Sequence, residues 1–139
     1  MMVVRARPPL WDEIDQAFHI AGRPIIFAWG DTIYDPEGAG VSPALHMHEG
    51  VHGARQTAAG VEIWWRTYIA DPEFRLAEEI PAHQAEFRWW CESPLGNQQV
   101  KGFRSAKDRQ LLEIARRLSS PLYGGVISFD AARKLLKAA

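Results

Sequence analysis

Between Leu45 and Gln56 the chain reads LHMHEGVHGARQ, which gathers three of its five histidines and spells HExxH as His48, Glu49 and His52. Two imidazoles four residues apart share a face only on a helix, where positions i and i+4 stand one above the other. On a helix both rings can reach a single ion, and Glu49, beside the first of them, can lean over its open side. Two histidines do not complete a metal site, so the fold must also carry a ligand from another segment to that same face. No other feature constrains the architecture as much. Local signals agree: Ser42 and Pro43 supply an N-cap and a first-turn proline and Gly60 a stop, predicting a helix over about 43–59. His46 points about 160° away from His48 on that helix and is not a ligand.

The third ligand has to come from a separate helix, because the position six residues after His52, where an extended motif would carry another histidine, is Ala58. Asp71 and Pro72 open such a helix, and it reaches Trp90 or Cys91. It contains Glu78, Glu79, His83 and Glu86. At about 100° per residue, Leu76, Ile80, His83, Phe87 and Trp90 form one apolar sector with Glu79 at its edge, while Glu78 falls about 100° away. A carboxylate facing a core is costly unless a cation or donor meets it. Glu79 is therefore the first candidate for the third ligand and Glu78 the reserve. Pro81 must either kink this helix or mark its first turn, and in the second case those angles do not apply.

HEGVHGARQ on one helix, followed by EEIPAHQAE on another, resembles the small gluzincin-type zinc metallopeptidases, which pair HExxH with a downstream glutamate. The resemblance is strongest over residues 25–92, and nothing after Cys91 takes part in it. It implies a zincin-like domain in which an edge hairpin or small sheet flanks the HExxH helix and a glutamate helix packs across it. Position by position it implies one zinc ion held by His48, His52 and Glu79, with Glu49 as general base, and the small Ala82 suits a close helix approach. Zinc so held lowers the pKa of a bound water towards about 7, and a neighbouring carboxylate can take its proton.

Other residues carry paired readings. His83, one turn beyond Glu79, could donate to the oxyanion of a tetrahedral intermediate, hydrogen-bond a ligand, or be a core histidine satisfied by a backbone carbonyl. Tyr68 could be an oxyanion donor or a core residue with a satisfied hydroxyl. Gln56, one turn after His52, is a candidate support for a ligand, and Arg55 a surface group. The six tryptophans read as packing residues before they read as a ligand platform, with Trp29 set apart because it ends the expected edge strand, where an extended substrate would pair.

The rest of the chain sets the frame. Trp11, Ile14 and Phe18 at helical spacing predict a short helix that stops at Gly22, and Ile25 to Trp29 with Thr32 to Tyr34 predict a hairpin around Gly30 and Asp31. Val61 to Ala70, Ser105 to Leu118 and Phe129 onward read as further helices. The expected fold is α+β, a single domain over residues 1–139, mainly helical, with a small hairpin or sheet beside the HExxH helix. Residues 1–100 carry a net charge of minus seven and residues 101–139 plus six. That basic helical extension could contact a protein partner. It has no helix-turn-helix or zinc-finger spacing, so nucleic acid is not expected. Its arginines, Arg116 and Arg117 included, fall on the expected solvated side of a helix.

One cysteine excludes an internal disulfide and fits a reducing compartment. The opening residues do not read as a signal peptide and no stretch approaches membrane-spanning length, so the expectation is a cytoplasmic protein with no membrane partner. The leading functional expectation is a zinc metallopeptidase acting on a peptide or protein. Its rival is a non-catalytic zincin-like scaffold for binding or assembly, for example as a component of a virion. A cleft open to His48 and His52 favours the enzyme, and a cleft plugged by the C-terminal helices favours the scaffold.

Overall fold

The computed structural model describes residues 1–138. Three short strands and six helices follow one another as β1 (Met2–Val4), α1 (Trp11–Phe18), β2 (Phe27–Trp29), β3 (Thr32–Tyr34), α2 (Pro43–Ala59), α3 (Val61–Ala70), α4 (Pro72–Glu92), α5 (Ala106–Leu118) and α6 (Phe129–Lys137), with 3₁₀ turns at Pro94–Asn97 and Pro121–Tyr123. The result is the expected mainly helical α+β fold with a small mixed sheet. Among the described residues no helix is long and apolar enough to cross a membrane.

Helix starts follow the side-chain chemistry at their caps. Ser42 accepts from the Leu45 amide, Asp71 from Glu73 and Phe74, Ser105 from Asp108, and Ser128 from Ala131, each satisfying amides the first helical turn leaves open. Gly60 ends α2 with φ 98°, a conformation that glycine adopts at little cost. The helix from Trp11 stops earlier than expected, at Phe18. His19 takes a left-handed φ of 53°, and the Asp15 carboxylate captures the Ile20 and Ala21 amides. Such local capture competes with helix continuation.

In the sheet the hairpin pairs Phe27 with Tyr34, Ala28 with Ile33 and Trp29 with Thr32. Strand β1, not expected from the sequence, pairs parallel to β3 on its other side, so the order is β1-β3-β2. Three residues of strand give too short a pattern to read in isolation. Helix α2 lies beside β2, and the fit depends on Gly53, where a Cβ would collide with the Gly30 carbonyl oxygen of the hairpin turn.

Two hydrophobic clusters flank the α2–α4 pair. One is aromatic, with Ile14, Ile20, Phe27, Trp64, Trp65 and Tyr68. The other is mostly aliphatic, with Phe87, Leu111, Ile114, Ala115, Leu118, Ala132 and Leu136 from α4, α5 and α6. Helices α2 and α4 make the most extensive contact in the molecule, with Ala82 and Ala85 of α4 buried. Pro81 lies within α4, which neither starts nor ends there. The packing on both sides of the helix outweighs the backbone bond that proline removes.

Candidate metal centre

The α2–α4 pair brings together an array of charge that neither helix could bury alone. From α2 come His48, Glu49 and His52, and from α4 come Glu79, His83 and Glu86, each at most 6 % exposed. The Oε2 atom of Glu79 lies 3.4 Å from His48 Nε2 and 3.3 Å from His52 Nε2. One donor atom from each of these residues can be chosen so that all lie within 4.8 Å of one another, and the three could hold a metal ion.

Two features of the geometry fit zinc. Bonds of about 2.0–2.1 Å meeting at a tetrahedral angle hold their donor atoms about 3.3–3.4 Å apart, the spacing between the Glu79 oxygen and each histidine nitrogen. That same Oε2 is buried and accepts no well-aligned hydrogen bond, an expensive state for a carboxylate oxygen unless a cation meets it. Two imidazoles and a carboxylate are moreover a donor set that zinc takes readily.

The surrounding groups fix how the three residues point. His48 Nδ1 lies 3.0 Å from Glu86 Oε1, which turns Nε2 towards Glu79. Glu86 is gripped in turn by both terminal nitrogens of Arg117 on α5. Tyr68 donates its hydroxyl to Glu79 Oε1 at 2.5 Å, leaving Oε2 as the free oxygen. His83 is wholly buried, with Nδ1 2.7 Å from the Glu79 carbonyl oxygen and 3.2 Å from Oε2. A carbonyl only accepts, so the His83 proton sits on Nδ1.

The reserve ligand is committed elsewhere: Glu78 takes a hydrogen bond from Trp64 Nε1 at 3.1 Å and pairs with Arg55. Of the two adjacent glutamates, Glu79 faces the histidines. Gln56 supports no ligand. Its amide spans the hairpin, accepting from the Gly30 amide at 2.8 Å and donating to the Ala28 carbonyl at 3.0 Å.

Electrostatics divide the site into charged and neutral partners. Burial alone would lower the His48 pKa, but the adjacent carboxylates of Glu79 and Glu86 carry it up to about 10. Burial pushes the other way on Glu86, yet His48 and Arg117 bring it down to about 2. For Glu79 burial again opposes ionisation, and His52, His48 and His83 overcome it, holding the carboxyl well below its usual range. Glu49 behaves differently: burial raises its pKa and the attraction of His48 and His52 does not cancel the rise. A carboxylate raised towards neutrality is suited to take and return a proton. Burial lowers His83, keeping it a neutral ring.

A cavity of about 70 Å³ adjoins the cluster, lined among others by His48, Glu49, His52, Glu79, Tyr68, Trp64 and Tyr123. It neighbours a groove of about 850 Å³ whose walls include Arg23, Ile26, Arg75, Arg116, Arg117 and Leu122. His48, Glu49 and Tyr123 belong to both linings, so the cavity meets the groove at the His48 and Glu49 side of the cluster, while His52 and Glu79 line only the cavity. Arg116, Arg117 and the turn at 120–123 form part of the groove's wall. His83 lines neither cavity. It stands behind Glu79 with a hydrogen bond to a backbone carbonyl, which is the core-histidine placement.

Three contributors escaped the sequence reading. Glu86 lies seven residues after Glu79 and three after His83, so a polar stripe along α4 was the available signal. Arg117 was expected on a solvated face, but its guanidinium turns onto Glu86. Tyr123 stands edge-on to His83 at 5.3 Å, and its hydroxyl feels Glu79, Arg117, Glu49 and Glu86, with burial holding it protonated far above the ordinary range. It sits on a loop remote in sequence, and no local pattern marks it.

The tryptophans are packing residues in the main. Trp64 and Trp65 are buried, and Trp29 stacks on Trp65 with ring centres 6.4 Å apart. Set against family models, curated proteins and solved structures, the chain matches none, and the assignment of this centre rests on its own geometry.

Proposed function

We propose that the protein is a zinc-dependent metallopeptidase of the gluzincin kind, acting on a peptide or protein. The observation that carries the reading is the buried Glu79 Oε2, without a hydrogen bond and at tetrahedral spacing from two histidine nitrogens, in a small cavity that shares His48, Glu49 and Tyr123 with an adjoining groove. Zinc bound by His48, His52 and Glu79 would supply a polarising charge for the scissile carbonyl and an acidified water. The chain's own residues account for the rest. Glu49, free of any hydrogen-bonding partner among the described residues, takes a proton on its carboxylate from the attacking water and passes it to the leaving amine. Tyr123, kept protonated beside the site, can donate from its hydroxyl to the oxyanion, a role better suited to its cavity-lining position than to that of His83. Glu86 holds His48 in the tautomer and orientation that leave Nε2 free. Ile26 and Gly30, which flank β2, alternate with its Ala28 along the outer edge of the hairpin. The Ala28 carbonyl is taken by Gln56 and Trp65, and the Gly30 amide by Gln56. Backbone pairing with an extended substrate is therefore confined to the neighbourhood of Ile26.

The groove that reaches His48 and Glu49 supports this reading over a scaffold that keeps the architecture without the chemistry. The test is elemental analysis of purified protein together with cleavage of a peptide library. Wild type should hold near-stoichiometric zinc and cleave. Glu49→Gln should keep the zinc and lose cleavage by a factor of about 10² to 10⁴. A Glu49→Gln protein that holds zinc with full activity would overturn the reading.

A further inference from the structure

The groove above the site is charged almost entirely with one sign. Its lining includes four arginines, Arg23, Arg75, Arg116 and Arg117, and a single carboxylate, Glu49. Arg117 is committed to Glu86. The other three make no ion pair among the described residues, although the chain as a whole is slightly acidic. Arg75 stands out. It is only 7 % exposed, its Nε donates to the Tyr68 carbonyl and one terminal nitrogen to the Ile69 carbonyl, both at 2.9 Å, and it lies over the Phe18 ring at 4.7 Å. A nearly buried guanidinium fixed by neutral acceptors and facing a groove has no counter-charge of its own, which a carboxylate arriving there would supply. Arg23 and Arg116 are exposed, adding a positive field that attracts anions before contact. Since backbone pairing along β2 reaches little beyond Ile26, selection of a substrate falls to these side chains.

We propose that the groove selects carboxylate-bearing peptides, binding acidic residues flanking the scissile bond through Arg75, with Arg23 and Arg116 assisting. The choice of a peptide rests on the peptidase reading; the preference for carboxylates rests on the groove alone.

The test uses peptides matched except for Asp and Glu against Asn and Gln, each made with a free and an amidated C-terminus. Binding to zinc-loaded Glu49→Gln is read by fluorescence anisotropy, and cleavage by wild type is followed in parallel. The acidic peptides should bind about tenfold tighter than their amide counterparts at low salt, an advantage that shrinks as salt rises. The ratio should shrink but stay above one in Arg23→Gln/Arg116→Gln, which leaves Arg75 in place, and fall towards one in Arg75→Gln. If only the free C-terminus matters, the carboxylate recognised is the terminal one and the selection of acidic residues flanking the scissile bond is overturned. Acidic peptides bound selectively but never cleaved would overturn the peptidase reading and leave this inference standing. Equal binding of acid and amide peptides, or tighter binding of a single-stranded oligonucleotide of equal charge, would overturn the inference.

Discussion

The two histidines of the α2 motif stand one turn apart, yet their surroundings hold them by opposite means. His48 faces an ionic wall, where Nδ1 meets Glu86 and Glu86 meets Arg117 of α5. His52 faces an aromatic wall. Its Nδ1 has no partner, and Trp64 and Tyr68 pack edge-on to its ring with centres 5.4 and 6.5 Å away. The difference teaches that the charge asymmetry along the chain is not only a matter of solvation. The acidic first hundred residues and the basic remainder meet at Glu86 and Arg117, which ties the C-terminal third, through Glu86, to one candidate ligand. The other ligand depends on α3, a helix with no part in the charge pattern.

Removing a ligand should erase the comparison altogether. Zinc in His52→Ala and Glu79→Ala should fall from near-stoichiometric to trace levels by elemental analysis, while Glu78→Gln retains it. Zinc retained in Glu79→Ala would move the third ligand elsewhere.

Cutting the ionic wall comes next. Glu86→Gln should weaken zinc binding by about 10- to 100-fold by competition with a chelator, as is usual when the partner of a ligating histidine is lost. Arg117→Gln should do less, since Glu86 keeps its bond to His48. Equal losses would mean that the wall acts as one unit.

Acidity tests the same wall without mutation. In the metal-free protein the His48 proton is held up to about pH 10, so below that value zinc must displace it. Zinc affinity should therefore rise by about tenfold per pH unit for each proton displaced between roughly pH 6 and 9. Affinity flat across this range would mean that the ring is already neutral.

Smaller effects probe the aromatic side and its seat on the sheet. Gly53→Ala, whose Cβ would press on the Gly30 carbonyl, should destabilise the fold by about 1–3 kcal/mol in denaturant unfolding. Tyr68→Phe removes the hydroxyl that fixes Glu79 Oε1 and should cost about 1 kcal/mol in zinc affinity. If Tyr68→Phe weakened zinc more than Glu86→Gln, the ranking of the two walls would be reversed.

Much of this was legible along the chain because it is local. The helix carrying His48, Glu49 and His52 is marked by Ser42, Pro43 and Gly60, and the spacing of the motif needs nothing beyond a turn of helix. The choice of Glu79 over Glu78 also follows from periodicity, provided that the helix runs through Pro81. Packing supplied that condition. Strand β1 and the early stop at His19 were not legible, since one has too few residues for a pattern and the other depends on how Asp15 is used.

What the sequence by itself determined is the donor set: two imidazoles and a carboxylate on two helices, with Glu49 beside them. The tertiary structure alone decided what surrounds it. Glu86 gained its role from a contact with α2, Arg117 left the solvated face to neutralise it, and Tyr123 and the unpaired arginines came to the groove from segments far apart in the chain. The physical reason is range. Capping and helical spacing act within a few residues and can be read from them, whereas the partner of a buried charge is chosen by which segments the hydrophobic clusters bring into contact.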